Sequence, residues 1–354
     1  MPLVAHNDLP TFARLRKERV TVLTRERAAN QVIRELHVGL LNMMPDAALE
    51  ATERQFFRLV GESNPIAQFY VHPFTIPALP RGEAGQAHID RYYESFDAIR
   101  EQGLDALIIT GANVTHADLS QEPFWDPLIE VIDWAWGNVT STLCSCLATH
   151  AVLQFRHGQK RVKQPKKVWG VFEHRVTEPQ HPLVADVNTR FNVPHSRWND
   201  VSRAQFEAAG LHVLAESDAA GVHLAVSADG LRNVFFQGHP EYDTVSLLKE
   251  YKRDAMLAVQ GKLLQRPPFP ENYFDDFSRA VLDEFSARLE TGEKPEFPES
   301  MLLPHLDNTW HDTAEAVVGN WIGCVYQVTH SDRKRPFMEG IDPDNPLGIY
   351  GKNG

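Results

Sequence analysis

Apolar residues along the chain fall into short continuous runs, which are separated by longer segments with helical spacing. Residues 36–41 and 104–109 form apolar runs of the length expected for buried strands. Between them, residues 47–60 place Leu49 and Phe56 on one face of a helix. This alternation of strand and helix predicts an α/β fold with a doubly wound, mostly parallel sheet, whose binding site lies at the carboxyl ends of the strands.

The remaining elements follow from the same criteria. The other predicted strands are residues 66–71, 169–176, 211–215, 222–227 and 233–236, and a strand that ends at Cys146. The other predicted helices are residues 89–101, 125–136, 244–260 and one that begins at Leu147. Residues 76–86 contain two prolines and two glycines and are predicted to form a loop.

The two ends of the chain differ from this central region. Residues 1–34 are polar with mixed charge, and we expect an N-terminal arm or a lead-in helix. Residues 35–261 form the predicted α/β catalytic domain. A proline-rich joint then precedes a predicted helical C-terminal extension, residues 262–354, and its polar tail from residue 332 is expected to be loose.

Composition narrows the class of protein. Of the 354 residues, 43% are apolar and 23% are charged, which is typical of a globular protein. The net charge of −12 argues against a general binder of nucleic acid or of anionic membranes. We find no signal peptide and no apolar run near the ~20 residues of a membrane helix. Three cysteines fit a reducing compartment better than a disulfide framework, so we expect a cytoplasmic protein.

The most informative residue is Cys146, which stands where a β-branched run gives way to a helix-forming run. A side chain at such a turn is presented at the sheet edge. Its sulfur lies at a helix N-terminus, where backbone N–H groups and the helix dipole favour a thiolate. This is the placement of a cysteine nucleophile. The alternative is a buried strand cysteine, which is the more common situation for a cysteine taken alone.

A second motif, residues 237–243, follows the strand 233–236 and contains His239 and Glu241. Side chains two residues apart in an extended segment share a face, so the carboxylate can orient the imidazole. A cysteine, a base and an orienting acid complete the triad of thiol catalysis. A loop histidine beside a chance acid is the alternative, but both motifs end predicted strands at the edge where α/β folds bind ligands.

Other kinds of site have little support in the sequence. The chain has neither a P-loop nor the glycine fingerprint of dinucleotide-binding folds. Cys144, Cys146 and His150 lack the paired spacing of zinc ligands. We therefore expect no metal and no cofactor. The basic residues within 160–167 are most simply a solvated loop, although they are placed to meet an anionic donor.

Several separated blocks, all in one order, resemble the homoserine O-acyltransferase family, whose flavodoxin-like fold is similar to that of class I glutamine amidotransferases. The resemblance covers residues 3 to about 332 and rests on the segments 41–45, 110–112, 141–146, 170–174, 194–197, 238–243, 320–321 and 325–327. It implies acyl transfer from acyl-CoA, as co-substrate, to the hydroxyl of L-homoserine in methionine biosynthesis. It also implies a homodimer.

The resemblance assigns roles to individual residues. Cys146 becomes the acylated nucleophile of a ping-pong reaction, His239 the base and Glu241 the orienting acid. The implied substrate-binding side chains are Lys167, Ser196 and Arg253. A guanidinium fork such as that of Arg253 suits a bidentate bond to the carboxylate of the amino acid.

Two further assignments concern the acyl group. The backbone N–H groups of Leu147 and Ala112 are expected to hold the oxyanion. The family's acyl-donor determinant falls on Thr115, where glycine accompanies succinyl-CoA and glutamate accompanies acetyl-CoA. Threonine is neither, and the proline that usually precedes it in this turn is Asn113. Because an uncharged Thr115 does not repel the free carboxylate of a succinyl group, succinyl-CoA is favoured.

The sequence leaves alternatives open. One is a homoserine O-acetyltransferase or a serine O-acyltransferase. Another is a glutamine amidotransferase-type cysteine hydrolase, although such elbows usually have glycine on both sides of the cysteine, where this chain has Ser145 and Leu147. The last is a non-catalytic binding module on the same fold.

Overall fold

The structure is a computed structural model that describes residues 3–63, 67–263 and 265–350. The strands are β1 (Leu3–Ala5), β2 (Val22–Thr24), β3 (Glu35–Leu41), β4 (Gln68–Phe74), β5 (Ala106–Ile109), β6 (Ser141–Ser145), β7 (Val162–Val176), β8 (Arg190–Asp200), β9 (His212–Ser217), β10 (Gly221–Val226) and β11 (Asn233–Phe236). Within the described ranges, all eleven belong to one sheet, in the order β2-β1-β4-β3-β5-β6-β11-β10-β9-β7-β8.

Helices cover this sheet on both faces. They are α1 (Pro10–Lys17), α2 (Arg25–Ala29), α3 (Asp46–Glu62), α4 (Glu83–Tyr92), α5 (Phe96–Gln102), α6 (Trp125–Asn138), α7 (Leu147–His157), α8 (Arg203–Ala208), α9 (Ser246–Val259), α10 (Asp276–Glu290), α11 (Glu299–Leu302) and α12 (His311–Val328). One apolar core packs helices α1, α3 and α12 against one face of the sheet. A second core packs helices α5, α6, α7 and α8 against the other face.

The seven strands from β2 to β11 are paired in parallel, and β10, β9, β7 and β8 continue the sheet in antiparallel pairs. The prediction of a doubly wound, mostly parallel α/β sheet is therefore confirmed. Every residue of β5, β6 and β11 is buried, because these strands lie in the middle of the sheet with helices on both sides.

The register of the central strands places the predicted motifs side by side. Cys144 of β6 lies opposite Ile109 of β5 on one side and Phe235 of β11 on the other. The segments that follow β5, β6 and β11 therefore leave the sheet at the same edge. Cys146 and His239, separated by more than ninety residues in sequence, begin from neighbouring strand ends.

The N-terminal segment differs from the expected arm. Residues 1–34 contain α1 and α2, but β1 and β2 also extend the sheet at one edge, and Leu3 and Val4 are fully buried. Strands of three residues are too short to be recognised by an apolar run, and they form here because β4 offers a free edge. The limits at residues 34 and 261, as boundaries of separate domains, stay predictions.

Three other expectations need correction. The helix predicted for residues 89–101 is divided into α4 and α5, because the backbone is extended at Tyr93 and Ser95 caps the second helix. Residues 190–200 were not predicted to form a strand, yet β8 pairs along much of β7. The described part of the tail is packed rather than loose, since Phe337 is buried in the core.

Most of the remaining elements agree with the sequence pattern within a few residues, but α4 begins at Glu83, inside the segment 76–86 that was predicted to form a loop, and β7 begins at Val162, before the predicted start at residue 169. The predicted strand 66–71 corresponds to β4, although residue 66 lies outside the described residues. The basic segment 160–167 is partly the start of β7 rather than a loop. Beyond residue 261, α10 and α11 pack with α9 around Tyr251, Leu282 and Trp310 in a smaller third core beside the end of the sheet.

Candidate active site

Cys146 occupies a strained turn between β6 and α7. Its backbone has φ 51° and ψ −103°, a left-handed region that residues other than glycine seldom adopt. The Cys146 N–H donates to the Phe236 carbonyl (2.7 Å), and the Thr149 hydroxyl donates to the carbonyls of Cys144 (2.8 Å) and Phe236 (2.9 Å). These bonds hold the turn against β11, so the cysteine is fixed at the N-terminus of α7.

The segment that carries His239 is held just as firmly. The Gln237 side-chain amide donates to the carbonyls of Val201 (3.0 Å) and Val222 (2.9 Å). The His239 N–H donates to the Pro194 carbonyl of β8 (2.7 Å). A Cβ atom on Gly238 would lie 2.6 Å from Val193 Cγ1, so only glycine allows the segment to approach β8 this closely.

Cys146, His239 and Glu241 lie together. Nδ1 of His239 is 2.8 Å from Oε1 of Glu241, and both side chains are buried. The Cys146 sulfur lies close enough to the imidazole to raise its pKa. Burial alone lowers the pKa of His239, but the charges and hydrogen bonds of Glu241 and Cys146 outweigh burial and raise it well above its usual value. The arrangement therefore stabilises an imidazolium beside the sulfur.

The other two cysteines lie in different surroundings. Cys144 is fully buried in β6, and burial raises the pKa of its thiol far above the usual range. Burial raises the pKa of the Cys324 thiol to about 11. Cys146 is partly exposed and lines a cavity of about 270 Å³. Among the three thiols, only that of Cys146 combines access with a neighbouring base.

The backbone groups expected to hold an oxyanion border the same cavity. Ala112 and Leu147 line it together with Cys146. Neither N–H donates a hydrogen bond to any residue that the structure describes. A Cβ atom on Gly111 would lie 4.0 Å from Cys146 Cβ, which shows how closely this turn approaches the cysteine. Both N–H groups are thus placed near the sulfur and are free to bind an anion.

Lys167 and Ser196 meet at a carboxylate that was not predicted, that of Glu250 on α9. Glu250 Oε2 accepts hydrogen bonds from Ser196 Oγ (2.6 Å), Trp169 Nε1 (2.9 Å) and Lys167 Nζ (3.2 Å). Oε1 accepts one from the Tyr242 hydroxyl (2.8 Å). Burial alone raises the pKa of Glu250, but Lys167, Ser196 and Tyr242 together lower it, so the carboxylate is ionised.

This cluster is connected to the triad through Tyr242. The Tyr242 ring stacks on the His239 imidazole, with ring centroids 4.5 Å apart. Ser196 also lines the Cys146 cavity. Glu250 escapes sequence reasoning because a lone acid on an amphipathic helix is most often solvated. In the sequence, Glu250 could be identified as a site residue only by its spacing of three residues from Arg253, which places both side chains on one helix face.

Two other predicted residues are exposed. Arg253 is mostly exposed, and its Nε donates to Asp254 Oδ1 (2.7 Å). Thr115 is exposed on the loop after β5, where its N–H donates to Glu122 Oε1 (2.6 Å). Neither residue lines the cavity, although Asn113 and Val114 of the Thr115 loop do. The structure thus brings together the triad and Ser196, while Arg253 and Thr115 stand outside this group.

Metal-ligating groups are found elsewhere in the described part of the chain. His6, His72 and Glu94 lie close enough to hold an ion, and so do Glu62, His311 and Glu315. Neither group includes Cys146, His239 or Glu241. In the same described residues, none of the helices combines the length and apolar character needed to cross a membrane.

Comparison with known proteins identifies relatives along the whole chain. The family model described as homoserine O-succinyltransferase matches residues 2–331. The homoserine O-succinyltransferase of Thiobacillus denitrificans is 75% identical over 349 residues, which cover 99% of this chain and 100% of that protein. That of Allochromatium vinosum is 66% identical over 354 residues and 99% of both chains.

Among solved structures, a glutamine amido transferase from Methylobacillus Flagellatus aligns with 82% of this chain and 95% of its own. Its TM-score is 0.46 and its sequence identity is 13%. The family-model match and the two curated relatives each extend over nearly the entire sequence. The chain therefore belongs to the homoserine O-succinyltransferase family.

Proposed function

We propose that this protein transfers an acyl group from acyl-CoA, preferably succinyl-CoA, to the hydroxyl of L-homoserine, and that the product serves methionine biosynthesis. One observation carries the proposal. In a chain of this family, a partly exposed cysteine lies beside a buried histidine that is itself bonded to a buried glutamate. Such a triad supports covalent thiol catalysis.

In the first half-reaction the Cys146 thiolate attacks the thioester carbonyl of the acyl-CoA. The proton that leaves the sulfur is held by His239, whose protonated form is favoured by Glu241 and by the sulfur. The N–H groups of Leu147 and Ala112 stabilise the oxyanion of the tetrahedral intermediate. When the C–S bond to CoA breaks, the imidazolium protonates the departing thiolate, and an acyl-Cys146 thioester remains.

In the second half-reaction neutral His239 removes the hydroxyl proton of homoserine as the oxygen attacks the acyl-enzyme. The C–S bond to Cys146 breaks and O-acyl-homoserine is released. Arg253 is proposed to bind the homoserine carboxylate, and Lys167 and Ser196 are proposed to contact substrate. Support comes from Ser196, which lines the cavity and shares the Glu250 carboxylate with Lys167.

Several features complete the proposal. The reaction requires no cofactor, since the acyl-CoA is itself a substrate. We propose that the protein acts in the cytoplasm as a homodimer. Thr115 is proposed to influence the choice of acyl donor from its loop beside the cavity. Support for this position comes from Asn113 and Val114 of the same loop, which line the cavity.

Measurement of intact mass after mixing with succinyl-CoA, without homoserine, tests the covalent step. We expect one added succinyl group on the wild-type protein and on Cys324→Ser, and none on Cys146→Ser. Addition of homoserine should remove the group and yield O-succinyl-homoserine. An adduct that persists in Cys146→Ser would contradict the proposal. A mass increase with acetyl-CoA but not succinyl-CoA would keep the mechanism and change the donor.

A further inference from the structure

The cavity beside Cys146 is bordered by two guanidinium groups with different environments. Arg197 is fully engaged by the protein: it is bonded to Asp200 Oδ1 (2.8 Å), to the carbonyls of Asn199 (2.9 Å) and Ala220, and to His195. These contacts bury the side chain and neutralise its charge. Arg197 therefore has a structural role, and it is not available for a substrate.

Arg161 borders the same cavity without a carboxylate partner. Its Nη2 donates to the His116 carbonyl (2.8 Å) and its Nε to the Ala117 carbonyl (3.4 Å). Within the described residues, it forms no ion pair, and its Nη1 makes no hydrogen bond. Burial lowers the pKa of Arg161, while Glu122 and the Cys146 sulfur act in the opposite direction, so the guanidinium lies within electrostatic range of the sulfur.

The acids near Arg161 are already committed to other groups. Glu122 Oε1 accepts the N–H groups of Thr115 and His116, at 2.6 Å each. Asp118 binds Lys160 Nζ (2.5 Å) and Gln154 Nε2 (2.6 Å). Both carboxylates therefore stabilise the loop after β5 and do not bond to the Arg161 guanidinium. A cation that borders a reactive cavity and lacks an anionic partner is suited to bind an anionic group of a ligand.

We propose that Arg161 binds the free carboxylate of a dicarboxylic acyl donor while the thioester carbon of that donor lies at Cys146. This inference rests on the proposed acyl transfer and names the residue that selects its donor. The guanidinium is held by the carbonyls of the loop that carries Thr115, so that loop and Arg161 form one side of the site. A glutamate at position 115 would place a competing carboxylate on the loop that holds Arg161.

Donor competition in Arg161→Gln tests the proposal. Initial rates are compared for succinyl-CoA and for butyryl-CoA, which has the same number of acyl carbons but no free carboxylate. We expect kcat/KM for succinyl-CoA to fall by about 10- to 100-fold, the range for loss of a charge-assisted bond, while the value for butyryl-CoA is unchanged. Arg161→Lys, which keeps the charge, should recover part of the succinyl-CoA activity.

Lys160→Gln serves as the matched control, because Lys160 is an adjacent cation that is bound to Asp118 and does not line the cavity. It should leave both donors unaffected. An equal loss for both donors in Arg161→Gln would overturn the proposal and indicate a contact with the CoA phosphates or a role in loop structure. An equal effect of Lys160→Gln would overturn it as well. Absence of succinyl transfer by the wild-type protein would instead contradict the proposed function itself.

Discussion

Within the triad, Glu241 reaches His239 through one carboxylate oxygen only. Oε1 is bonded to the imidazole, whereas the other oxygen, Oε2, is buried and has no hydrogen-bond partner among the described residues. Burying a carboxylate with one unpartnered oxygen costs stability. The negative charge of Glu241 nevertheless acts on the neighbouring imidazole, whose pKa it raises.

Glu241→Gln separates charge from geometry. The amide oxygen can still accept the bond from His239, and the amide nitrogen would occupy the place of the unpartnered oxygen. Without the negative charge the imidazolium loses stabilisation, and we expect kcat to fall by about 10²- to 10⁴-fold with little change in KM. Steady-state kinetics with saturating homoserine measure the effect.

A matched exchange tests whether this loss is specific. Glu173→Gln removes a half-exposed carboxylate that is paired with Arg190 on β7 and β8, away from the cavity. It should change kcat less than about twofold, because exposed ion pairs contribute little. If Glu241→Gln retained full activity, the orienting acid would have to be another residue, and Glu250 would be the first to examine.

Among secondary-structure elements, the contact between the His239 segment and β8 depends on Gly238. A methyl group at this position would meet Val193 Cγ1 at 2.6 Å and His195 Nε2 at 2.8 Å. For Gly238→Ala we expect the segment to shift, with a stability loss of about 1–3 kcal/mol. Because a small displacement of His239 misaligns it with Cys146, we also expect kcat/KM to fall by about 10-fold or more. Urea unfolding and steady-state kinetics give the two values.

The same substitution in α6 provides the control. Gly137 is exposed near the end of that helix, and a Cβ atom there meets nothing within 4 Å. Gly137→Ala should stabilise the protein by about 0.5–1 kcal/mol, because alanine is the better helix former, and it should leave activity unchanged. Equal behaviour of the two variants would show that Gly238 is not required for close packing.

α9 places Glu250 and Arg253 three residues apart on one face, and Glu250 is bonded to Ser196, which lines the cavity. Asp254 engages only the Nε of Arg253, and no other described residue bonds to its terminal nitrogens, so these are free to bind a carboxylate. Arg253→Lys keeps the charge but loses the bidentate geometry, and we expect KM for homoserine to rise by about 10-fold while kcat changes little.

The control for this prediction is Arg288→Lys. Arg288 is also exposed and paired, to Glu293, but it lies on α10. It should leave KM for homoserine unaltered. A fall in kcat without a change in KM for Arg253→Lys would argue that Arg253 acts on the reacting groups rather than on the homoserine carboxylate.

Among the strands and helices, the sequence predicts well only those that are determined by the local pattern of apolar and polar residues. The central strands β3, β5 and β11 were predicted because they are continuous apolar runs in the middle of the sheet. β8 was not, since polar and apolar side chains mix along it and its pairing with β7 is long-range. Cys146 and His239 were recognised by their position after strands, whereas Glu250 depends on contacts with distant residues that no local pattern reveals.

Across the whole molecule, burial of imidazoles is a common feature. Burial lowers the pKa of eight histidines among the described residues: His6, His37, His150, His157, His174, His181, His195 and His223. For His174 the pKa falls to about 4 and for His150 to about 3. The folded protein therefore keeps these rings neutral at a pH where the unfolded chain would protonate them. The histidines are scattered along the sequence, so their common burial could not be predicted before the fold was known.

Acid should consequently destabilise the protein before its carboxylates titrate. Histidines in the unfolded chain gain protons near pH ~6.5, whereas the buried rings do not, so the unfolded state binds more protons as pH falls from about 6.5 to about 5. We expect the free energy of unfolding to drop by about 1.4 kcal/mol per pH unit for each extra proton bound.

Glu62 and Asp105, whose pKa values are raised by burial, act in the opposite direction but are outnumbered. His239, with a raised pKa, contributes stability that is complete below pH ~6.5 and lost above it, so it does not offset the decline. Urea unfolding monitored by circular dichroism across this range measures the slope, and a stability that stayed constant or increased on acidification would show that these rings are protonated in the folded protein.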